Sequence, residues 1–388
     1  MKEKKIVGFL TATDPTDKRS WSGIHYRMYK SLLNEFDEVY LFGPIPKSKA
    51  LKKTLQILEK IHLKLFSKKY NVFHNIILSK FYAYKINAQL KKKKIDILFA
   101  PAASTEIAFL KTGAPICYLS DTSFGQINGY YESFSGLSPL SVKESNLIEK
   151  KAIKNSTTQV YSSNWAADYV INNYKANSKN IYTVSFGANI DSIPAEKTIK
   201  KDFTGTVNFL FLGVDWKRKG GDIVLEAFTI LINKGYAVTL TICGCTPPDQ
   251  ITNPKINIIP FLNKNNAEEY NEFLKILSQT HLLFVPTRAD CTPIVFCEAN
   301  AFGIPVITTN TGGVSSIIEN HINGFALPFE SKPIEYADQI ETLLNDRTKL
   351  KELSLQSRQK FDKELNWNSW GQKMREILLL TIDQKKLF

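Results

Sequence analysis

Short apolar runs and helical patterns alternate along nearly the whole chain, and this alternation constrains the fold more than any other feature. An apolar run of four to six residues is too short for a helix. Bounded by Gly, Pro or charged residues, it reads as a strand buried on both faces. In the N-terminal half the runs are Lys5–Leu10, Val39–Phe42, Ile95–Phe99, Pro115–Leu119, Thr158–Tyr161 and Ile181–Val184. Helical patterns over Ile24–Glu35, Leu51–Phe66, Lys80–Lys93, Leu147–Lys154 and Trp165–Asn173 separate them. Residues 189–205 carry several charges and little periodicity, and read as a linker. Alternation then restarts with strand Asn208–Leu212, helix Ile223–Ile232, strands Val238–Cys243 and Ile256–Ile259, and helix Ala267–Ser278. Strands separated by helices pair in parallel, so both halves are predicted as doubly wound, Rossmann-like α/β domains. The predicted boundaries are 1–188 and 206–367, and 388 residues suffice for two ordinary domains. The tail after Pro333 reads as helical, with Trp367 and Trp370 near its last element.

Residues 284–328 carry the most chemistry. Leu282–Val285 is a short apolar run closed by Pro286, and a buried strand is predicted there. Asp290 and Glu298 follow, eight positions apart. Between them Thr292 is a good N-cap residue and Pro293 suits N1, where a missing N–H costs nothing. The amides of Ile294 and Val295 would then lie in the first turn, at the positive end of the helix dipole, which favours an anion. Gly303-Ile304-Pro305 ends the helix, Val306-Ile307-Thr308 is the next strand, and Gly312-Gly313 permits a positive φ or close backbone approach. Ligands of open α/β sheets bind at the carboxyl ends of strands, where Asp290 and Thr311–Gly313 fall. Ionised carboxylates accept hydrogen bonds from paired hydroxyls. The arrangement suits a diphosphate between two polyhydroxylated rings. On local physics alone, an ordinary strand–loop–helix–strand with surface acids fits slightly better.

The run Glu298-Ala299-Asn300-Ala301-Phe302-Gly303-Ile304-Pro305-Val306-Ile307, followed by Gly312-Gly313 and Asn323-Gly324, resembles the signature of the retaining family 4 glycosyltransferases. Ser162-Ser163-Asn164-Trp165 and Phe186-Gly187-Ala188-Asn189 are also similar to segments of that family. The resemblance implies the GT-B fold, two doubly wound Rossmann-like domains facing across a cleft, with a final helix (about 368–388) joining the N-terminal domain. It implies an acceptor-binding N-terminal domain and a nucleotide-sugar-binding C-terminal domain. Glu298 would hold the ribose and Asp290 the donor sugar. Lys219, with Arg218, Gly213, Thr292 and the Ile294 and Val295 amides, would face the diphosphate. Gly23 matches a glycine of the family's phosphate- and acceptor-facing turn, and Asp121 takes the place of a histidine near the reacting sugar. Asp121 reads equally well as a cap of the segment after Ser120. Four positions depart from the family: Asp290 is one methylene short of a glutamate, Pro293 replaces a glycine, Val214 replaces an arginine, and the turn at Gly23 lacks a second glycine. The resemblance further implies same-face attack with no bound metal and no cofactor beyond the nucleotide-diphosphate sugar co-substrate. A nucleotide-sugar epimerase of the same fold, or a catalytically silent binding subunit, stands beside the transferase reading.

The chain has 50 Lys+Arg against 37 Asp+Glu, and the excess is local: residues 47–94 hold 14 lysines and one acid, Glu59. Within this stretch Leu51, Leu55, Leu58, Ile61 and Leu65 recur at helical spacing among lysines. Such a helix either lies on anionic lipid or packs on its own domain with solvated lysines. No nucleic-acid motif accompanies the charge. No apolar run approaches a membrane span, and the N-terminus lacks a signal-peptide apolar region. Five irregularly spaced cysteines fit a reducing compartment, and Cys243-x-Cys245 reads as strand-end packing. The expected location is the cytoplasm, with the cytoplasmic membrane face as a docking surface for a glycan or lipid-linked acceptor.

Overall fold

The computed structural model describes residues 3–195, 199 and 201–386. Residues 196–198 and 200 of the predicted linker, and 387–388 of the predicted final helix, lie outside the described residues. Contacts divide the chain into two units. One comprises the residues up to Val184 together with those from Trp370 onward; the other is Ser185–Ser369.

The first unit is built on β1 (Glu3–Leu10), β2 (Phe36–Phe42), β3 (Ile97–Pro101), β4 (Ile116–Ser120), β5 (Thr158–Tyr161) and β6 (Ile181–Thr183). They pair in parallel in the order β2-β1-β3-β4-β5-β6. Period-two alternation sends Leu10, Leu98 and Ala100 into a core with Leu78, Ile86 and Ile148. The neighbours Phe9 and Phe99 take the opposite face, edge-on to each other at 5.5 Å. There they meet Tyr29, at 5.8 Å from Phe9, and Trp370, at 6.1 Å from Phe99. Both faces of the sheet are therefore covered, as a doubly wound fold requires.

The second unit repeats the plan with β7 (Val207–Leu212), β8 (Val238–Cys243), β9 (Ile256–Ile259), β10 (Leu282–Val285), β11 (Val306–Thr309) and β12 (Gly324–Leu327). All pair in parallel, in the order β12-β11-β10-β7-β8-β9. Phe209 packs on Phe228 and Phe284 on Tyr336, on helices Gly221–Asn233 and Pro333–Asn345. Each sheet has one place where the chain reverses its direction of winding: between β1 and β3, and between β7 and β10. Loops diverge there and leave a crevice at the carboxyl ends of the strands.

Several predicted boundaries move, each for an identifiable reason. The helix predicted at Leu147–Lys154 runs over Pro139–Asn155, capped by Ser138 with Pro139 in its first turn. Its first half buries Ser141 and Ser145 by hydrogen bonding, to the Asn71 amide (2.8 Å) and the His74 carbonyl (2.7 Å), so apolar periodicity missed it. The helix predicted at Lys80–Lys93 is Ile76–Leu90, started by an Asn75 side-chain cap and ended before four consecutive lysines. The strand predicted at Ile95–Phe99 is Ile97–Pro101, because the Asp96 carboxylate is engaged with the Ile6 amide at 2.8 Å. Strand β12 was not anticipated: with only Phe325, Ala326 and Leu327 after Gly324, it is too short to register as a pattern.

Two left-handed glycines separate backbone freedom from close approach. Gly220 (φ +78°) leads into helix Gly221–Asn233, and a Cβ there would lie 2.2 Å from the Pro286 carbonyl oxygen. Gly235 has a similar φ of +86° but open space around it. Gly235→Ala should therefore lose only the left-handed backbone energy, about 1–2 kcal/mol. Gly220→Ala should lose clearly more and prise the β7 and β10 loops apart. Urea midpoints of the two variants check this, and equal midpoints would refute it.

Candidate functional site

The β7/β10 crevice collects most of the predicted site. After β7 the chain turns at Gly213, whose amide bonds the Cys243 carbonyl at 3.0 Å. A single helical turn, Trp216–Lys219, follows, with the Asp215 side chain capping the Arg218 amide at 3.0 Å. After β10 the chain runs through Pro286 to Asp290. The two loops are stitched together by their backbones: the Arg288 amide donates to the Arg218 carbonyl at 2.7 Å, and the Arg218 guanidinium to the Ala289 carbonyl at 2.9 Å. Arg288 adds a paired contact to Asp222 at 2.7 and 2.8 Å, which lowers the Asp222 pKa.

This framework brings Lys219 onto Asp290. The Lys219 amine donates to the Asp290 carboxylate, and both residues are buried. Arg218 Nη1 stands 3.9 Å from the same carboxylate oxygen. The Lys219 stem lies against Gly213, where a Cβ would come within 2.8 Å of Lys219 Cγ. The Asp290 carbonyl receives the Gly313 amide at 3.0 Å, and Gly312 beside it has φ +56°. Gly213, Arg218, Lys219, Asp290 and the Gly-Gly turn thus form one cluster.

Glu298 lies on helix Ile294–Ala301. The predicted start of this helix is corrected by one residue: Pro293, not Thr292, is the N-cap, with φ −74° and ψ 90°, and Ile294 is the first helical residue. Proline fixes its own φ but leaves ψ extended, and the first tight bond runs from the Phe296 amide to the Pro293 carbonyl at 2.9 Å. Thr292 therefore stands one residue before the N-cap, while the Ile294 and Val295 amides remain in the first turn. Glu298 is 1% exposed. Its Oε1 is held by Lys264 Nζ at 2.7 Å, whereas its Oε2 is buried with no hydrogen-bond partner. Lys264 also sits 4.2 Å from the centre of the Phe273 ring. Sequence reasoning missed Lys264, because a lone lysine in the loop after β9 has no motif around it. A buried carboxylate oxygen without a donor is costly, and such atoms concentrate where a ligand supplies the missing group.

Gly23 and Asp121 belong to the first unit. Gly23 ends a turn in which Trp21 (φ 47°), Ser22 (φ 56°) and Gly23 (φ 87°) are all left-handed. For the two non-glycine residues this costs roughly 1–2 kcal/mol each. His25 holds the turn: its Nδ1 meets Ser20 Oγ at 2.8 Å and its Nε2 lies 3.2 Å from the Pro101 carbonyl. A carbonyl only accepts, so Nε2 carries the proton and Nδ1 accepts from Ser20. Burial pushes the His25 pKa down to about 4, which keeps the ring neutral. His25 thereby ties the β1 loop to the end of β3 across the first crevice; the sequence offered only its place after Gly23. Asp121 follows β4 directly and is half-buried, one strand beyond that crevice.

Known proteins share this framework. Residues 193–360 match the family model described as Glycosyl transferases group 1. The capsular polysaccharide biosynthesis glycosyltransferase CapM of Staphylococcus aureus is 24% identical over 237 residues, covering 57% of this chain and 62% of CapM. Spore coat protein SA of Bacillus subtilis is 27% identical over 189 residues, 46% of this chain and 48% of that protein. The chain thus spans about half to three-fifths of the curated relatives it matches. Among solved structures, sucrose-phosphate synthase of Thermosynechococcus elongatus superposes with a TM-score of 0.66 at 14% identity, covering 98% of this chain and 100% of that one. Anabaena HepE in complex with UDP-glucose gives 0.64 at 16% identity, covering 97% and 100%. These likenesses establish the two-domain α/β architecture of the GT-B type. Lys219, Asp290 and Glu298 all lie within the segment, residues 193–360, that matches the group 1 glycosyl transferase model.

Proposed function

We propose that the chain is a retaining glycosyltransferase that moves a sugar from a nucleotide-diphosphate sugar to a glycan or lipid-linked acceptor in cell-envelope polysaccharide synthesis. One observation carries the reading: the buried Glu298 carboxylate keeps Oε2 without a partner, on the helix that leaves the same crevice as the Lys219–Asp290 pair. A ribose hydroxyl is the donor that Oε2 lacks. CapM's role in capsular polysaccharide biosynthesis and the UDP-glucose complex of HepE support the choice of reaction and donor class.

In this reading the diphosphate takes over the Lys219 amine, aided by Arg218 and the Ile294 and Val295 amides. Asp290, released from Lys219, accepts hydroxyls of the donor sugar. The acceptor hydroxyl attacks the anomeric carbon from the face the diphosphate leaves. The new C–O bond forms as the sugar–phosphate bond breaks, and the acceptor proton passes to the departing phosphate. Lys219 and Arg218 stabilise the charge that grows on the leaving group. Gly23 and Asp121 serve the acceptor side.

The basic helix predicted at Leu51–Phe66 divides its apolar residues. It spans Lys49–Phe66; Leu51, Leu55 and Leu58 pack into the first unit's core, while Ile57, Ile61 and Leu65 are exposed at four-residue spacing among lysines. Among the described residues no helix is long and apolar enough to cross a membrane. This exposed stripe is the proposed contact with an anionic membrane surface.

Glu298→Ala should abolish most transfer and most of the stabilisation that a matching nucleotide-diphosphate sugar confers in a thermal-shift screen. Full activity in that variant would sink the assignment. Lys219→Ala should also be inactive, and should lose about 3–5 kcal/mol of stability by stranding Asp290 in the interior. The double variant Lys219→Met/Asp290→Leu separates the two effects: melting near the parent's temperature but no transfer is the expected outcome. NMR of the product should show the donor's anomeric configuration, and product formed without acceptor would point instead to an epimerase. Liposome co-sedimentation should rise with anionic lipid, fall with salt, and weaken when Ile57, Ile61 and Leu65 become Ser; indifference to all three would remove the membrane surface.

A further inference from the structure

The Glu298 side chain is 1% exposed, so no ligand reaches its carboxylate while every neighbour keeps its place. Among the described residues that carboxylate has one hydrogen-bond partner, the Lys264 amine on Oε1 at 2.7 Å, and Oε2 is buried with none. A ligand that fills Oε2 must therefore be admitted by a group that moves.

Lys264 has the properties of that group. The backbone around it is tied down: the Asn263 amide donates to the Glu269 carboxylate at 2.6 Å, and the Asn266 amide to the Asn263 carbonyl at 2.9 Å. The Lys264 side chain, by contrast, is 40% exposed. It is a flexible four-carbon stem with a strongly hydrated head, so it can leave for water without the loop following. Its amine also lies 4.2 Å from the centre of the Phe273 ring, on helix Ala267–Gln279, and keeps a favourable contact there after letting go of Oε1.

The two carboxylate oxygens decide what can take its place. Parting a buried ion pair is unfavourable unless the stranded charge finds new donors. A single hydroxyl on Oε1 brings a hydrogen bond without the ammonium's charge, and leaves Oε2 unfilled. Two adjacent hydroxyls give each oxygen a donor, and so also remove the penalty of the empty Oε2.

We propose that Lys264 is a specificity-determining residue: it occupies Glu298 in the empty site and yields only to a ligand with two vicinal hydroxyls. The lysine thereby makes the carboxylate a reader of diols rather than of single hydroxyls. Taking the diol to be a nucleotide's ribose rests on the transferase reading.

Calorimetric titration of the full chain with UDP and GDP, and with the 2′-deoxy and 3′-deoxy forms of each, tests the assignment. In the parent chain either deoxy form of the diphosphate that binds should be weaker by about tenfold or more. Lys264→Met removes the competitor; it should tighten binding of the parent diphosphate and bring both deoxy forms within about threefold of it. Lys264→Arg presents a fork able to hold both carboxylate oxygens, and should weaken binding. A lysine that merely supports the fold gives the opposite order, weaker binding in Lys264→Met and recovery in Lys264→Arg, and that order would overturn the proposal. So would undiminished deoxy penalties in Lys264→Met, or a parent chain indifferent to the loss of one hydroxyl. If Lys264→Met does not fold, Lys264→Arg decides alone: binding as tight as the parent's overturns the proposal. Lys264-dependent selection of the diol in a chain that transfers no sugar would sink the transferase reading alone. Transfer with nucleotide binding that ignores Lys264 would sink this inference alone, and binding of neither diphosphate would sink both.

Discussion

A buried ion pair, Lys219 with Asp290, is the interaction around which the second unit's functional end is organised. Removing two charges from water is expensive, and their attraction repays that only in good geometry with further hydrogen bonds. The surroundings meet those terms. Arg218 reinforces the carboxylate from 3.9 Å, the Arg218 and Arg288 backbones and side chains lock the two loops, and Gly220 lets the chain pass against Pro286. Each of these contacts crosses from the loop after β7 to the loop after β10. The pair is thus a clasp over the place where the sheet reverses, and it keeps a cation and an anion apart from bulk water.

The same economy recurs at Glu298, where Lys264 neutralises one oxygen and the other is left unsatisfied. In the first unit a neutral, buried His25 performs the mechanical part of this task without charge, tying the left-handed turn at Trp21–Gly23 to the end of β3. The Trp21–Gly23 turn and the Glu298 helix both follow strands that flank a reversal point, at the carboxyl edge of the sheet. That edge is where backbone amides and loop side chains are not consumed by sheet or helix, and so where binding energy is available.

The departures from the family signature acquire a physical context in the structure. Asp290, one methylene shorter than the usual glutamate, is engaged by Lys219 rather than extended away from it. Pro293 shifts the start of its helix by one residue. Val214, in place of an arginine, is 69% exposed and contributes no charge, while Arg218 supplies a guanidinium near the carboxylate instead. Three of the altered positions, Val214, Asp290 and Pro293, thus lie on the loops after β7 and β10, while the fourth, the turn at Gly23, belongs to the first unit.

The sequence by itself determined the architecture. Buried parallel strands must be continuous apolar runs and surface helices must alternate their faces, so the patterns at β5, β8, β9 and β10 reproduced the strands residue for residue. It also singled out Lys219, Asp290 and Glu298 as candidates, because they sit in a long, specific frame. Only the tertiary structure decided which groups are partnered. Lys219 and Asp290 are 71 positions apart, Lys264 and Glu298 are 34, and the fate of each carboxylate oxygen depends on what the loops bring opposite it. The same holds for the helix at Lys49–Phe66, whose single apolar stripe splits into a packed and an exposed part. Periodicity reports the geometry of one element. Ionic pairing and cavity shape are relations between elements distant in the chain, and no local pattern encodes them.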